Sequence, residues 1–343
     1  MKKNSLCLAF LAMSVPLLHA QNTPSPETEF KVSIARWSNN AKGAVSLYYD
    51  DGCPSHQEFV IPVLIRHHIP GTFYVNPNNW TGTNSWLALK WQESAKNPEI
   101  VLGNHTWSHS GADTVDELKE QIAKADKAIR EMAGLKPTDL VSFAIPGGVP
   151  WKISDQELQA GLKEFNSVLR AQWAGMGNGK NSPQASAGGF FTYEEAANAT
   201  LNRAEKEGSW KSILFHGVGG DWFAFSAADH ERLIADCAKR MAEGRVWVAA
   251  TIDVQKYIAE RDNAVLSAIH GNDDGGGEFH LDVKTDPAQY DVPLTLVATV
   301  PFSWQSAKVI VIGGTEKKVV VKSGRIVFDV PPKGANISIV KDR

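Results

Sequence analysis

Between residues 43 and 251 the chain alternates short, mainly apolar strand-like runs with longer stretches whose apolar positions recur every three or four residues. The apolar runs fall at 43–50, 71–75, 99–104, 141–145, 167–172, 212–216 and 246–251. Their apolar bias is the pattern of buried strands. The helical period fills stretches such as 114–133, 193–207 and 226–243, so the segment reads as a βα repeat. After Arg261 the pattern changes. A turn-rich break, Asn272-Asp273-Asp274-Gly275-Gly276-Gly277, is followed by short alternating runs at 294–299, 308–312, 318–321 and 325–330, split by Gly and Pro. This predicts a small β-sandwich. The organisation expected is an N-terminal extension over 21–40, an α/β unit over 41–262, a linker over 263–277 and an all-β unit over 278–343.

Ahead of these units, Lys2-Lys3, an apolar stretch from Leu6 to Leu18 and a small residue at Ala20 predict a signal peptide over 1–20, cleaved after Ala20, and an exported protein outside the cytoplasm, periplasmic or extracellular. No later segment is apolar for long enough to predict stable membrane insertion. A net charge of −3 gives no basic footprint for nucleic acid. With Cys7 in the signal peptide, Cys53 and Cys237 remain, expected as unpaired thiols because one lies in a loop after a strand and the other inside a helical pattern.

The candidate chemistry sits at the ends of two strands. Tyr49-Asp50-Asp51-Gly52 closes the first run and His105-Thr106-Trp107-Ser108-His109 follows the third. Gly52 marks a break where neighbouring carboxylates can fan apart, and two histidines four residues apart on a helical turn would share one face. Catalytic zinc takes three protein ligands and keeps a position open for water. Asp51, His105 and His109 supply such a set, and Asp50 is left over to accept a proton.

These segments resemble the polysaccharide deacetylase family, also called the NodB homology or carbohydrate esterase family 4 group. Tyr49-Asp50-Asp51-Gly52 resembles its first motif, in which the first Asp is the general base and the second a metal ligand. His105, Thr106 and His109 match its His-Ser/Thr-x-x-His motif, and Leu214-Phe215-His216 resembles its late Leu-x-His motif. The resemblance runs from about Lys42 to Ile258. It implies a distorted (β/α)7 barrel, a divalent metal, most simply Zn2+, and an acetylated glycan as substrate. It further implies His216 as general acid, the Gly147 backbone N–H as oxyanion donor and Leu214 at the acetyl methyl. Trp107 and Trp222 are substrate-binding candidates by position.

Two departures stand out. The family's third motif carries an Arg that tethers the base, but Phe143-Ala144-Ile145-Pro146-Gly147-Gly148 has Ala144 in that place. The fourth normally gives an Asp near a Trp, whereas 166–173 contains Trp173 and no Asp. Arg170, on the next expected strand, is the candidate replacement tether. Two other readings compete with a deacetylase: a carbohydrate-binding homologue with weakened catalysis, for which Ala144 speaks, and an allantoinase-type C–N hydrolase on the same barrel. Sequence leaves the sugar, the bond type and the oligomeric state open.

Overall fold

The structure, a computed structural model, describes residues 30–170, 184–186 and 192–342. The expected signal peptide, most of the N-terminal extension and Trp173 lie outside the described residues.

The α/β unit is a curled parallel sheet open between its edge strands, a half-barrel with helices packed on the outside. In chain order the strands are β1 (Val32–Ile34), β2 (Gly43–Asp50), β3 (Gly71–Val75), β4 (Ile100–Asn104), β5 (Val141–Phe143), β6 (Ser167–Leu169), β7 (Gln184–Ser186), β8 (Trp210–Phe215) and β9 (Val246–Val248). The sheet order is β6-β5-β4-β3-β2-β8-β7, with β9 added beside the first half of β2. All its pairings are parallel. β2 is buried along its whole length, Ser46 and Asp50 included, as a central parallel strand covered on both faces requires.

The helices are α1 (Ile61–His67), α2 (Ser85–Ser94), α3 (Val115–Ala133), α4 (Asp155–Glu164), α5 (Tyr193–Ala197), α6 (Arg203–Glu207), α7 (Ala227–Ala242) and α8 (Thr251–Asp262). α3 begins at a reciprocal cap in which Thr114 and Glu117 each bond the other's backbone N–H, and it buries Leu118, Ile122 and Ile129 on one stripe. A wide helical turn, Asn198–Asn202, joins α5 to α6. Two expected elements change: the stretch 246–251 is strand only to Val248, since Thr251 opens α8, and the segment holding Trp80, Trp86 and Trp91 contains α2. Trp80 and Trp91 are buried and stacked at 5.7 Å, and Trp86 stays exposed.

The all-β unit contains β10 (Ala264–Gly271), β11 (Gly277–Val283), β12 (Leu294–Thr299), β13 (Ser306–Val311), β14 (Glu316–Val320), β15 (Arg325–Val330) and β16 (Ala335–Lys341). A five-stranded sheet, β10-β11-β16-β13-β14, faces a three-stranded sheet, β1-β12-β15. Leu281, Leu296, Phe328, Ile337 and their neighbours fill the core between them. Two boundaries therefore move. The expected linker over 263–277 is mostly β10, paired antiparallel with β11, because its apolar residues alternate onto that core and only 272–276 turn. The expected N-terminal extension supplies β1, which pairs with β12. Trp304 is buried in the sandwich core and Phe302 is 72% exposed. Cys53 and Cys237 are unpaired and buried.

Candidate active site

The C-terminal ends of β2, β4, β6 and β8 converge on one rim of the half-barrel, and each delivers one part of the site. Asp50 is the last residue of β2. Asp51 follows with a left-handed backbone, φ 71°, an uncommon state for a non-glycine residue that turns neighbouring carboxylates apart. Asp50 faces Arg170 and Asp51 faces the histidines.

His105 and His109 are brought together, though not on a helical turn. The segment is a loop in which Thr106 (φ 64°) and His109 (φ 56°) are left-handed. Side chains over-determine that shape. The Asn76 amide, just past β3, donates to the carbonyls of His105 and Thr106, and Asn104 Oδ1 accepts the Thr106 N–H at 2.9 Å. His105 Nδ1 lies 2.9 Å from the Ala144 carbonyl, which can only accept, so Nδ1 carries the proton and Nε2 is left with its lone pair. That Nε2 stands 3.4 Å from Asp51 Oδ1, and His109 Nε2 stands 3.2 Å from the same oxygen. Oδ1 is buried and no well-directed hydrogen bond reaches it among the described residues. The three donor atoms lie within 4.8 Å of one another. Burial works to raise the Asp51 pKa, but the facing imidazoles outweigh it and hold the carboxyl well below the usual range, while Asp51 in turn raises His109. A divalent cation fits this donor set, since it would replace the orphaned contact at Oδ1.

Arg170, buried directly after β6, grips Asp50 through both guanidinium nitrogens: Nη1 donates to Oδ1 and Nη2 to Oδ2 at 2.7 Å. Its Cζ lies 4.6 Å from the Tyr74 ring centroid and 5.4 Å from that of Tyr48. Its own N–H donates to the Phe143 carbonyl at 2.7 Å, continuing the β5–β6 ladder beyond the strand. Gln255 of α8 bonds the Leu169 carbonyl at 2.7 Å, fixing the backbone just before it.

His216 follows β8, with Nε2 4.0 Å from Asp51 Oδ2. Its Nδ1 is buried and has no hydrogen-bond partner among the described residues. His56 Nε2 donates to the His216 carbonyl at 2.6 Å, and burial pushes the His56 pKa down to about 4, so the ring is a neutral strut. Trp222 donates its indole N–H to Asp51 Oδ2 at 3.1 Å, and the Phe223 ring lies 5.6 Å from that of His216. Leu214 is buried with Tyr48, Tyr74 and Ala144. Trp107 is half-buried, and its carbonyl accepts from Asn78. Gly147 is exposed in the turn after β5, and no contact links it to the Asp-His-His set among the described residues.

Sequence reading missed His56, Asn76, the tyrosines around Arg170 and the Trp222–Asp51 contact. Asn76 left a trace, a polar residue immediately after a fully buried strand; the others needed distances.

Fold and site together define a class, a parallel α/β half-barrel with a candidate metal centre and an arginine-clamped carboxylate on its rim. Residues 38–164, which hold Asp50, Asp51, His105 and His109, match the polysaccharide deacetylase family model. A chitin deacetylase from Pestalotiopsis sp is 26% identical over 95 residues, 27% of this chain and 31% of that protein. A peptidoglycan-N-acetylglucosamine deacetylase from Bacillus cereus is 31% identical over 101 residues, 28% of this chain and 34% of that protein. The chain thus spans about a third of the length of the curated relatives it matches. Among solved structures, the Bc1960 peptidoglycan N-acetylglucosamine deacetylase aligns at 19% identity and a TM-score of 0.43, over 60% of this chain and 86% of that one. Arg170 and His216 lie outside the family-model match.

Proposed function

We propose that this protein is a metal-dependent deacetylase, removing acetyl groups from an exported or cell-wall glycan, with Asp51, His105 and His109 as ligands and zinc as the ion. The observation that carries the reading is the convergence of these three donors beside Asp50 in the grip of Arg170. Donor atoms around a tetrahedral zinc stand roughly 3.3 Å apart; the two separations from Oδ1 are 3.4 and 3.2 Å. A cation there would supply Lewis acidity, acidifying water and drawing charge from a carbonyl oxygen.

The chain's own groups divide the remaining work. Asp50, whose Oδ2 lies 3.8 Å from His105 Nε2, takes the proton of the attacking water while Arg170 fixes its orientation. His216 gives a proton to the departing nitrogen or oxygen. The Gly147 N–H serves the developing oxyanion, Leu214 borders the acetyl methyl, and Trp107 and Trp222 flank the sugar. The grip of Arg170 on Asp50 supplies the tether that Ala144 lacks, which supports a working base over a binding homologue that has lost catalysis. An exported location and a unit division near residue 263 belong to the same proposal.

Acetate release from acetylated xylan, chitooligosaccharides and peptidoglycan fragments, with and without chelator, tests it. Release from at least one substrate, abolished by chelation and restored by zinc, is expected. No release from any, or release indifferent to chelation, would overturn the reading.

A further inference from the structure

Asp51 uses its two oxygens differently. Oδ1 faces His105 and His109, and Oδ2 accepts the Trp222 indole N–H at 3.1 Å. An indole N–H only donates, so this bond takes up one lone pair of Oδ2 and fixes the carboxylate with Oδ1 toward the histidines. The same Oδ2 is the Asp51 atom nearest His216 Nε2, at 4.0 Å.

The loop carrying Trp222 is built to hold that contact. Asp221 (φ 63°) and Phe223 (φ 48°), on either side, are both left-handed without being glycine, a strain that persists only where the surroundings impose it. The Trp222 carbonyl accepts from Gly217 at 3.0 Å, and Phe225 returns a bond to Gly217 at 2.9 Å. A Cβ on Gly217 would come within 2.0 Å of the Gly220 carbonyl oxygen, so the turn admits only glycine there. Asp221 Oδ2 accepts the Ser55 N–H at 2.8 Å and Ser55 Oγ accepts the Val218 N–H at 3.2 Å, pinning the loop to the segment that follows Asp51. Core packing does not account for this, since Trp222 remains 49% exposed and Phe223 60%.

We infer that Trp222 is a positioning residue for the metal centre: its N–H holds Asp51 to one-oxygen ligation and keeps Oδ2 from drawing in His216. The inference rests on the proposed Asp-His-His site. Partners that orient a ligand commonly set metal affinity as well as geometry. Without the N–H, Oδ2 is free to join the ion as a second donor or to pair with His216.

The test is zinc titration into chelator-stripped full-length protein against a competing chromogenic chelator, with the visible spectrum of the cobalt-loaded protein as a second readout. Trp222→Phe is expected to weaken zinc binding about 10- to 100-fold and to alter the cobalt spectrum as the coordination changes, while Phe223→Ala keeps wild-type affinity. If the Phe variant does not fold, 3-benzothienylalanine at position 222, which replaces only the N–H with sulfur, decides the same question. Wild-type affinity and spectrum without the N–H, or an equal loss in Phe223→Ala, would overturn the inference and leave the site reading standing. A wild-type protein that takes up no zinc would overturn both.

Discussion

Each side chain at the rim is held by a partner that limits what it can do, and substitutions should separate those limits. Asp51→Ala, His105→Ala and His109→Ala each remove one of three donors, so each purified variant is expected to lose stoichiometric metal by elemental analysis. Asp50→Asn keeps the donor set but cannot take a proton; metal is retained and acetate release falls on the order of a hundredfold or more. Arg170→Lys exchanges a two-pronged grip for a point charge, and activity should fall toward the Arg170→Ala level with metal content unchanged. His216→Ala should damage hydrolysis of an N-acetyl sugar more than of an activated aryl acetate, whose leaving group needs no proton. Equal losses on both would remove His216 as the leaving-group acid.

At the scale of elements, α8 joins the two halves of the molecule and carries an acidic surface into their contact. Glu260 is fully buried; Oε1 accepts the Val292 N–H at 2.9 Å and Oε2 has no hydrogen-bond partner among the described residues. Asp253 and Lys256 share its helix, and Asp291, paired with Lys256 at 2.8 Å, faces it from the loop before β12. Burial lifts Glu260 to about 7 and Asp253 to about 6. A raised carboxyl pKa means the folded state holds the proton more tightly. Stability is therefore fullest below the ordinary carboxylate range and declines as pH rises toward 7, by about 3 kcal/mol at most for Glu260. The melting temperature should fall between pH 5 and 8, and Glu260→Gln should flatten that fall.

The same scale shows what the sequence could reveal. Strand ends were legible because parallel strands buried on both faces are mainly apolar, and Asp50, Asp51, His105 and His216 were legible because each closes or follows one. Backbone handedness was not: nothing in His105-Thr106-Trp107-Ser108-His109 distinguishes a helical turn from a loop with two left-handed residues, since Asn76 and Asn104 decide it from other strands. The 263–277 stretch was misread because the turn-rich run 272–277 follows directly on β10 and hides its alternation, and β1 because three residues carry too little periodicity.

For the whole molecule, the half-barrel is enclosed by the sandwich in chain order. β1 enters the three-stranded sheet before the half-barrel is formed by the chain, and only Asn263 separates α8 from β10 after it. Tyr257 of α8 reaches the Ala35 carbonyl at 2.9 Å and packs into the sandwich core. Such shared burial predicts one unfolding transition by calorimetry and no stable half-barrel fragment released by limited proteolysis at 263–277. It also sets an order of events. Lys31 and Thr299 bond across 268 residues, and a ribosome adding about 5–20 residues per second needs some 13–54 s to bridge that gap. During that interval β1 waits without its partner strand, so the earliest part of the sandwich to be synthesised is among the last to be protected.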